Sequence, residues 1–67
     1  MSANNEVAIL EDLTVVERDV EHPDARYVVG KGTSLEDAVR LANNYIEEQA
    51  NEGYPVEYGL NIYLREE

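Results

Sequence analysis

The chain has no cysteine. Disulfides and thiolate metal sites are therefore excluded. It has no tryptophan and no phenylalanine, so five tyrosines carry the whole aromatic load. Bases are scarce: five Lys and Arg stand against 15 Asp and Glu, for a formal net charge of −10. A surface of that sign repels DNA, RNA and anionic lipid, which argues against direct nucleic-acid binding and against a membrane partner. It suits a basic protein partner, or a solvent rich in salt. Four of the five bases are Arg, which agrees with a salt-adapted host. No apolar run approaches the ~18 residues that a membrane helix needs. No secretory leader is visible, and the expected location is the cytoplasm.

No repeat, linker or low-complexity tract divides the 67 residues. One small domain over residues 1–67 is expected, with the polar residues 1–5 disordered. A chain of this length buries only about 60% of its unfolded surface. Dimerisation or partner binding is the natural supplement to so small a core.

The one stretch with a start signal, a sustained period and a stop runs from Gly32 to Gly53. Thr33 with Glu36 fits the capping-box pattern, and Ser34 with Asp37 repeats it one residue on. Leu35, Ala38, Val39, Ala42, Tyr45, Ile46 and Gln49 recur at three- and four-residue steps, so they form one stripe. Leu41 sits on its flank. Glu36, Asp37, Arg40, Asn43, Asn44, Glu47, Glu48 and Asn51 fall on the other side. Gly53 is placed as a left-handed stop, and Pro55 forbids continuation. A helix over 34–52 is expected, with its stripe on the protein's own sheet and its acidic side outward.

The rest reads as strand and turn. Val7–Leu10 is apolar, Glu11-Asp12 interrupts it, and 13–20 alternates with Leu13 and Val15 opposite Thr14, Val16, Arg18 and Val20. β-branched richness favours strand. Ile9, Leu13, Val16 and Val20 also fit helical spacing, so a helix over 7–20 is the rival. Whether 7–20 forms one bent strand or two is open. Glu-Asp is a poor two-residue hairpin loop, and a bulge there would let one strand change faces. Glu21-His22-Pro23-Asp24 has turn chemistry. Ala25–Lys31 is the next strand, with Tyr27 and Val29 opposite Arg26 and Val28. Val56–Arg65 alternates best of all. Val56, Tyr58, Leu60, Ile62 and Leu64 should meet the helix, while Glu57, Gly59, Asn61, Tyr63 and Arg65 face away. The expected fold is a two-layer α+β sandwich, β-β-α-β, with one helix on an antiparallel-dominated sheet. It becomes β-β-β-α-β where 7–20 forms two strands.

Few residues invite chemistry. His22 is the sole histidine, and a lone His before Pro in an acidic turn reads as a solvated turn residue. No Ser-His-Asp set and no metal-ligand spacing is present. Glu47-Glu48 and Glu11-Asp12 are carboxylate pairs, but adjacent helical residues point to different faces. Gly30-Lys31-Gly32-Thr33 lacks the spacing of a phosphate loop. No catalytic residue, cofactor or metal is expected. Tyr27 and Tyr63, with large contact area and a polar tip, are candidate partner contacts, and so are Glu47 and Glu48.

Residues 23–38 read Pro-Asp-Ala-Arg-Tyr-Val-Val-Gly-Lys-Gly-Thr-Ser-Leu-Glu-Asp-Ala. This resembles the segment of HicB-like antitoxins in which Pro-Asp precedes a strand, and Gly-x-Thr-Leu-Glu-Glu-Ala then opens a helix. Pro23, Asp24, Gly32, Leu35, Glu36 and Ala38 match in type and spacing. Ser34 and Asp37 are close replacements, and Gly53 with Pro55 is similar to the Gly-x-Pro beyond that helix. The family's Leu-Pro-Gly-Cys is Ala-Arg-Tyr-Val here. The resemblance implies a small sheet-plus-helix domain that binds and blocks a basic, RNA-cleaving toxin. Charge and resemblance together lead to a non-enzymatic acidic binding protein that sequesters a basic nucleic-acid-handling partner, antitoxin-like or in the manner of a phage inhibitor. The alternative is a small structural homodimer that pairs through a sheet edge or open face.

Overall fold

The computed structural model describes residues 4–63. The elements run β1 (Asn5–Ile9), β2 (Thr14–Asp19), β3 (His22–Lys31), α1 (Leu35–Asn51) and β4 (Leu60–Ile62). The strands form one sheet in the order β3-β2-β1-β4. β1 pairs antiparallel with β2, β2 antiparallel with β3, and β1 parallel with β4. α1 packs on one face, against β1, β2 and β3. The two-layer α+β class therefore holds, in the β-β-β-α-β order. Residues 7–20 supply two strands, neither one bent strand nor a helix. The expected disorder of 1–5 lies largely outside the described residues. Asn5 opens β1, and the Asn4 carbonyl accepts from the Val20 amide at 2.7 Å.

The β1–β2 hairpin exists because Glu11-Asp12 is only part of its loop. The Leu13 amide donates to the Leu10 carbonyl, and the Leu10 amide to Thr14, each at 2.9 Å. Leu13 then takes a φ of 73°. A turn followed by one left-handed residue is a favoured three-residue hairpin loop. Glycine or asparagine usually fills that position, and a side chain there costs about 1 kcal/mol. Leu13 packs against the core, which offsets the strain. Asp12 accepts from the Thr14 amide at 3.1 Å, and these hydrogen bonds with Thr14 hold its carboxyl below the ordinary range.

The next turn sits earlier than expected. Val20-Glu21 forms it, and Asp19 pairs with His22. Asp19 accepts the Glu21 amide at 2.8 Å, which provides the turn's side-chain support. Pairing then jumps from Asp19↔His22 to Arg18↔Arg26, so residues 23–25 bulge out of the ladder. Pro-Asp-Ala thus interrupts an edge strand instead of making the turn. Proline has no amide to give the ladder, and an edge bulge is where a sheet tolerates it.

Helix α1 starts in the later of the two capping registers. Ser34 is the N-cap, and its Oγ accepts from the Asp37 amide at 3.1 Å. Asp37 answers by accepting the Thr33 amide at 3.0 Å. That bond, joined by Arg40, holds the Asp37 carboxyl below its ordinary value. Of the two registers that the sequence offers, Ser34–Asp37 caps and Thr33–Glu36 does not. At the other end Gly53 has φ 91°. The Gly53 amide reaches Ala50 O at 3.1 Å and the Tyr54 amide reaches Gln49 O at 2.8 Å, the double closure of a Schellman stop.

The core lies between helix and sheet. Val7, Ile9, Val15, Ala38 and Ala42 are fully buried, with Leu13, Val29, Val39, Leu41, Tyr45, Ile46, Val56 and Leu60 packed around them. Leu35 belongs to the expected stripe but is 41% exposed. β4 is much shorter than the expected Val56–Arg65. Gly59 at φ 67° breaks it from the residues before. Val56 and Leu60 reach the core as expected, but Tyr58 and Ile62 are largely exposed. Leu64 and Arg65 lie outside the described residues.

Gly32 sets how closely helix and strand approach. A Cβ there would stand 2.6 Å from the Ala38 nitrogen and 2.8 Å from its Cα. Backbone atoms cannot move aside cheaply, so Gly32→Ala should destabilise by about 1–3 kcal/mol. Gly30 offers a control, since an added Cβ meets only Leu41 at 3.8 Å. Urea denaturation of both variants checks this: the Gly32 midpoint should fall clearly, and the Gly30 midpoint should move little.

Candidate functional site

The sheet has two unlike faces. Side chains alternate, so Val7, Ile9, Val15 and Glu17 point to the helix while Glu6, Ala8, Val16 and Arg18 point away. The face away from the helix has its own apolar cluster of Ala8, Leu10 and Val16, all buried. Beside it lies a polar cluster centred on Glu6, which is only 4% exposed. Arg18 Nε donates to Glu6 Oε2 at 2.9 Å. Asn61 Nδ2 donates to Oε1 at 2.8 Å, and the Tyr63 hydroxyl to Oε1 at 2.9 Å. The Arg18 guanidinium stands 4.9 Å from the Tyr63 ring centroid. Burial opposes the Arg18 charge, but Glu6 and Tyr63 outweigh that and raise its pKa above the ordinary value. This carboxylate is fully engaged by donors from β2, from β4 and from the residue after it, so it acts as a structural tie between strands.

A second cluster joins the helix to the sheet edge. Glu17 accepts from Asn5 Nδ2 at 2.6 Å and from the Tyr45 hydroxyl. The Tyr27 ring stacks on Tyr45, centroids 6.3 Å apart at 26°. Burial, reinforced by Glu17, pushes the Tyr45 hydroxyl well above the ordinary tyrosine value.

The four candidate contacts fall into different places. Tyr27 is 62% exposed on edge strand β3, on the helix side. Glu47 and Glu48 are exposed on α1. Tyr63 lies on the opposite face, its hydroxyl already bound to Glu6. Tyr27 thus lies on the helix side of the sheet and Glu47 and Glu48 on the helix itself, while Tyr63 lies on the other face. The Glu6–Arg18–Asn61 cluster was not legible as a unit. Asn61 and Tyr63 do share the polar side of the sequence's alternation, which was the available signal. His22 is exposed at the start of β3. Among the described residues no group of three or more His, Asp or Glu could hold a metal ion. No helix among them is long and apolar enough to cross a membrane.

The open face also carries a shallow groove of about 530 Å³ along β2 and β3. Leu10, Thr14, Val16 and Val28 line it, with Glu11 and Asp12 at the loop end and Arg26 further along.

Two outcomes follow from the clusters. Removing one partner of a buried ion pair leaves the other charge stranded, so Arg18→Leu should cost about 3–5 kcal/mol. Adding Glu6→Leu to it should recover much of that loss in a urea titration. For Tyr45 the neutral form is the favoured one in the folded chain. Its stabilisation is present below the ordinary value of 10.0 and is lost as pH rises past it. Denaturation measured at rising alkaline pH should therefore show a shallower loss of stability in Tyr45→Phe than in the unaltered chain.

No protein-family model matches the chain, and neither a curated protein nor a solved structure matches it.

Proposed function

We propose that this chain is a non-enzymatic acidic protein that sequesters a basic, nucleic-acid-handling protein in the cytoplasm. The observation that carries this reading is the placement of acid on α1. Glu47, Glu48 and Glu52 are all exposed at the helix's C-terminal end, and its last turn contains no base. That end is the negative pole of the helix dipole, so each carboxylate there is unfavourable by about 0.3–1 kcal/mol. The arrangement does not serve the isolated fold. A cationic surface docked on that end would relieve it. Tyr27 stands exposed on the same side and supplies the aromatic contact such a surface would need. The resemblance of residues 23–38 to HicB-like antitoxins supports a partner that cleaves RNA, because such an enzyme must itself present positive charge.

The same carboxylates would be tolerated in a salt-rich host through screening. The two readings separate by experiment. Affinity capture on the intact chain should recover a protein of basic isoelectric point, and titration calorimetry should show that complex weakening as salt rises. Changing Glu47, Glu48 and Glu52 together to Gln should reduce affinity about tenfold, from three exposed contacts of modest strength. Affinity indifferent to salt, or to this triple change, would sink the proposal.

A further inference from the structure

We propose that the open sheet face is the contact surface of a symmetric homodimer, packed face to face. The face bears an apolar strip, since Ala8, Val16 and Val28 lie in one register row across β1, β2 and β3. The inner two are buried, but Val28 is 59% exposed, although the strip runs on through it. Among the described residues no helix covers this face: α1 lies on the other one, against the cluster of Val7, Ile9 and Val15.

Charge selects the occupant. The neighbouring row is Glu6↔Arg18↔Arg26, one carboxylate against two guanidiniums. Arg18 is bound to Glu6, and directly across from Arg26 stands Arg18, a like charge. Among the described residues Arg26 forms no ion pair. This end of the face therefore carries one positive charge without an ion-pair partner among the described residues, in a chain whose net charge is −10. The opposite end of the same groove carries Glu11 and Asp12, with Lys31 near Asp12. Acid and base thus sit at the two ends of one groove, on either side of the apolar row, and that arrangement is complementary to itself.

A two-fold axis across the strands at the Val28 row sets Arg26 of one copy toward the Glu11–Asp12 end of the other. Same-face rows are about 7 Å apart, so both ends stay within the footprint of two stacked sheets. An isologous contact of this kind uses one patch twice and closes on itself. The helices, with their acidic sides, are left outward on both copies. Dimerisation and capture of a basic partner then use opposite faces and do not compete.

Sedimentation equilibrium and light scattering on the intact chain test this. The expected mass is twice the 7.6 kDa of one chain at high concentration. Salt screens the Arg26–acid contacts as well as the repulsion between two chains of net charge −10, so the dimer is read from its mass and from the variants below. Capture of a basic partner is read from the Glu47, Glu48 and Glu52 change, so failure of one reading is separable from failure of the other. Val28→Glu and Arg26→Glu should each weaken the dimer about tenfold, with the urea midpoint nearly unchanged at dilutions where the unaltered chain is monomeric, because both sites are exposed in the single chain. Arg26→Glu combined with Glu11→Arg should restore it. The triple change of Glu47, Glu48 and Glu52 to Gln should leave it intact. A chain that stays monomeric at high concentration and high salt overturns the proposal. So does a dimer that survives Val28→Glu, or one that the paired charge swap fails to restore.

Discussion

The buried Glu6 carboxylate ties together the strands on both sides of β1. A parallel edge strand of three residues has few ladder bonds of its own. Glu6 stands on β1, the strand between β2 and β4, and takes a hydrogen bond from Arg18 on one side and Asn61 on the other. Tyr63 closes the shell. A buried charge is tolerable only when its acceptor sites are filled, and here donors from separate parts of the chain fill them. The tie works in both directions. It fixes β4 against the centre, and it obliges the face away from the helix to be partly polar.

The other layer is held by close approach instead of charge. Ala38 and Ala42 are the buried residues of α1, and small side chains let the helix sit low on Val7, Ile9 and Val15. Gly32 extends the same logic into the connection, where no Cβ fits against Ala38. Its amide donates to the Leu13 carbonyl at 3.0 Å, which joins this connection to the strained hairpin loop. Leu13, Gly32 and Ala38 thus form one chain of contacts from the β1–β2 loop to the helix start. The exposed acids Glu47 and Glu48 of α1 have no part in this packing.

Much of the fold was legible in the residues themselves. Three- and four-residue spacing from Leu35 to Gln49 located the helix, and Gly53 located its stop. Alternation from Leu13 to Arg18 assigned the right residues to each face. What was not legible depended on contacts far apart in sequence. The Thr33–Glu36 and Ser34–Asp37 caps differ by one residue, and the chain uses Ser34 as the cap while Asp37 takes the Thr33 amide. Glu11-Asp12 looked wrong for a hairpin because two-residue rules were applied to a three-residue loop. The alternation in Val56–Arg65 was genuine, but Gly59 turns the chain, and only Leu60–Ile62 pairs with β1. Of the four contact candidates, Tyr63 had a partner 57 residues away, which no local pattern shows.

The sequence by itself determined the sign of the surface, the single amphipathic helix and the two-layer class. These follow from composition and short-range periodicity, which act within a few residues of the chain. Tertiary structure alone decided that β1 lies between β2 and β4, that Glu6 is buried and satisfied, and that the acids of α1 and the apolar strip of β1–β3 face opposite ways. Each of these is a meeting of residues distant in the chain. Their geometry is set by strand order and by which face the helix covers, so local pattern cannot specify it.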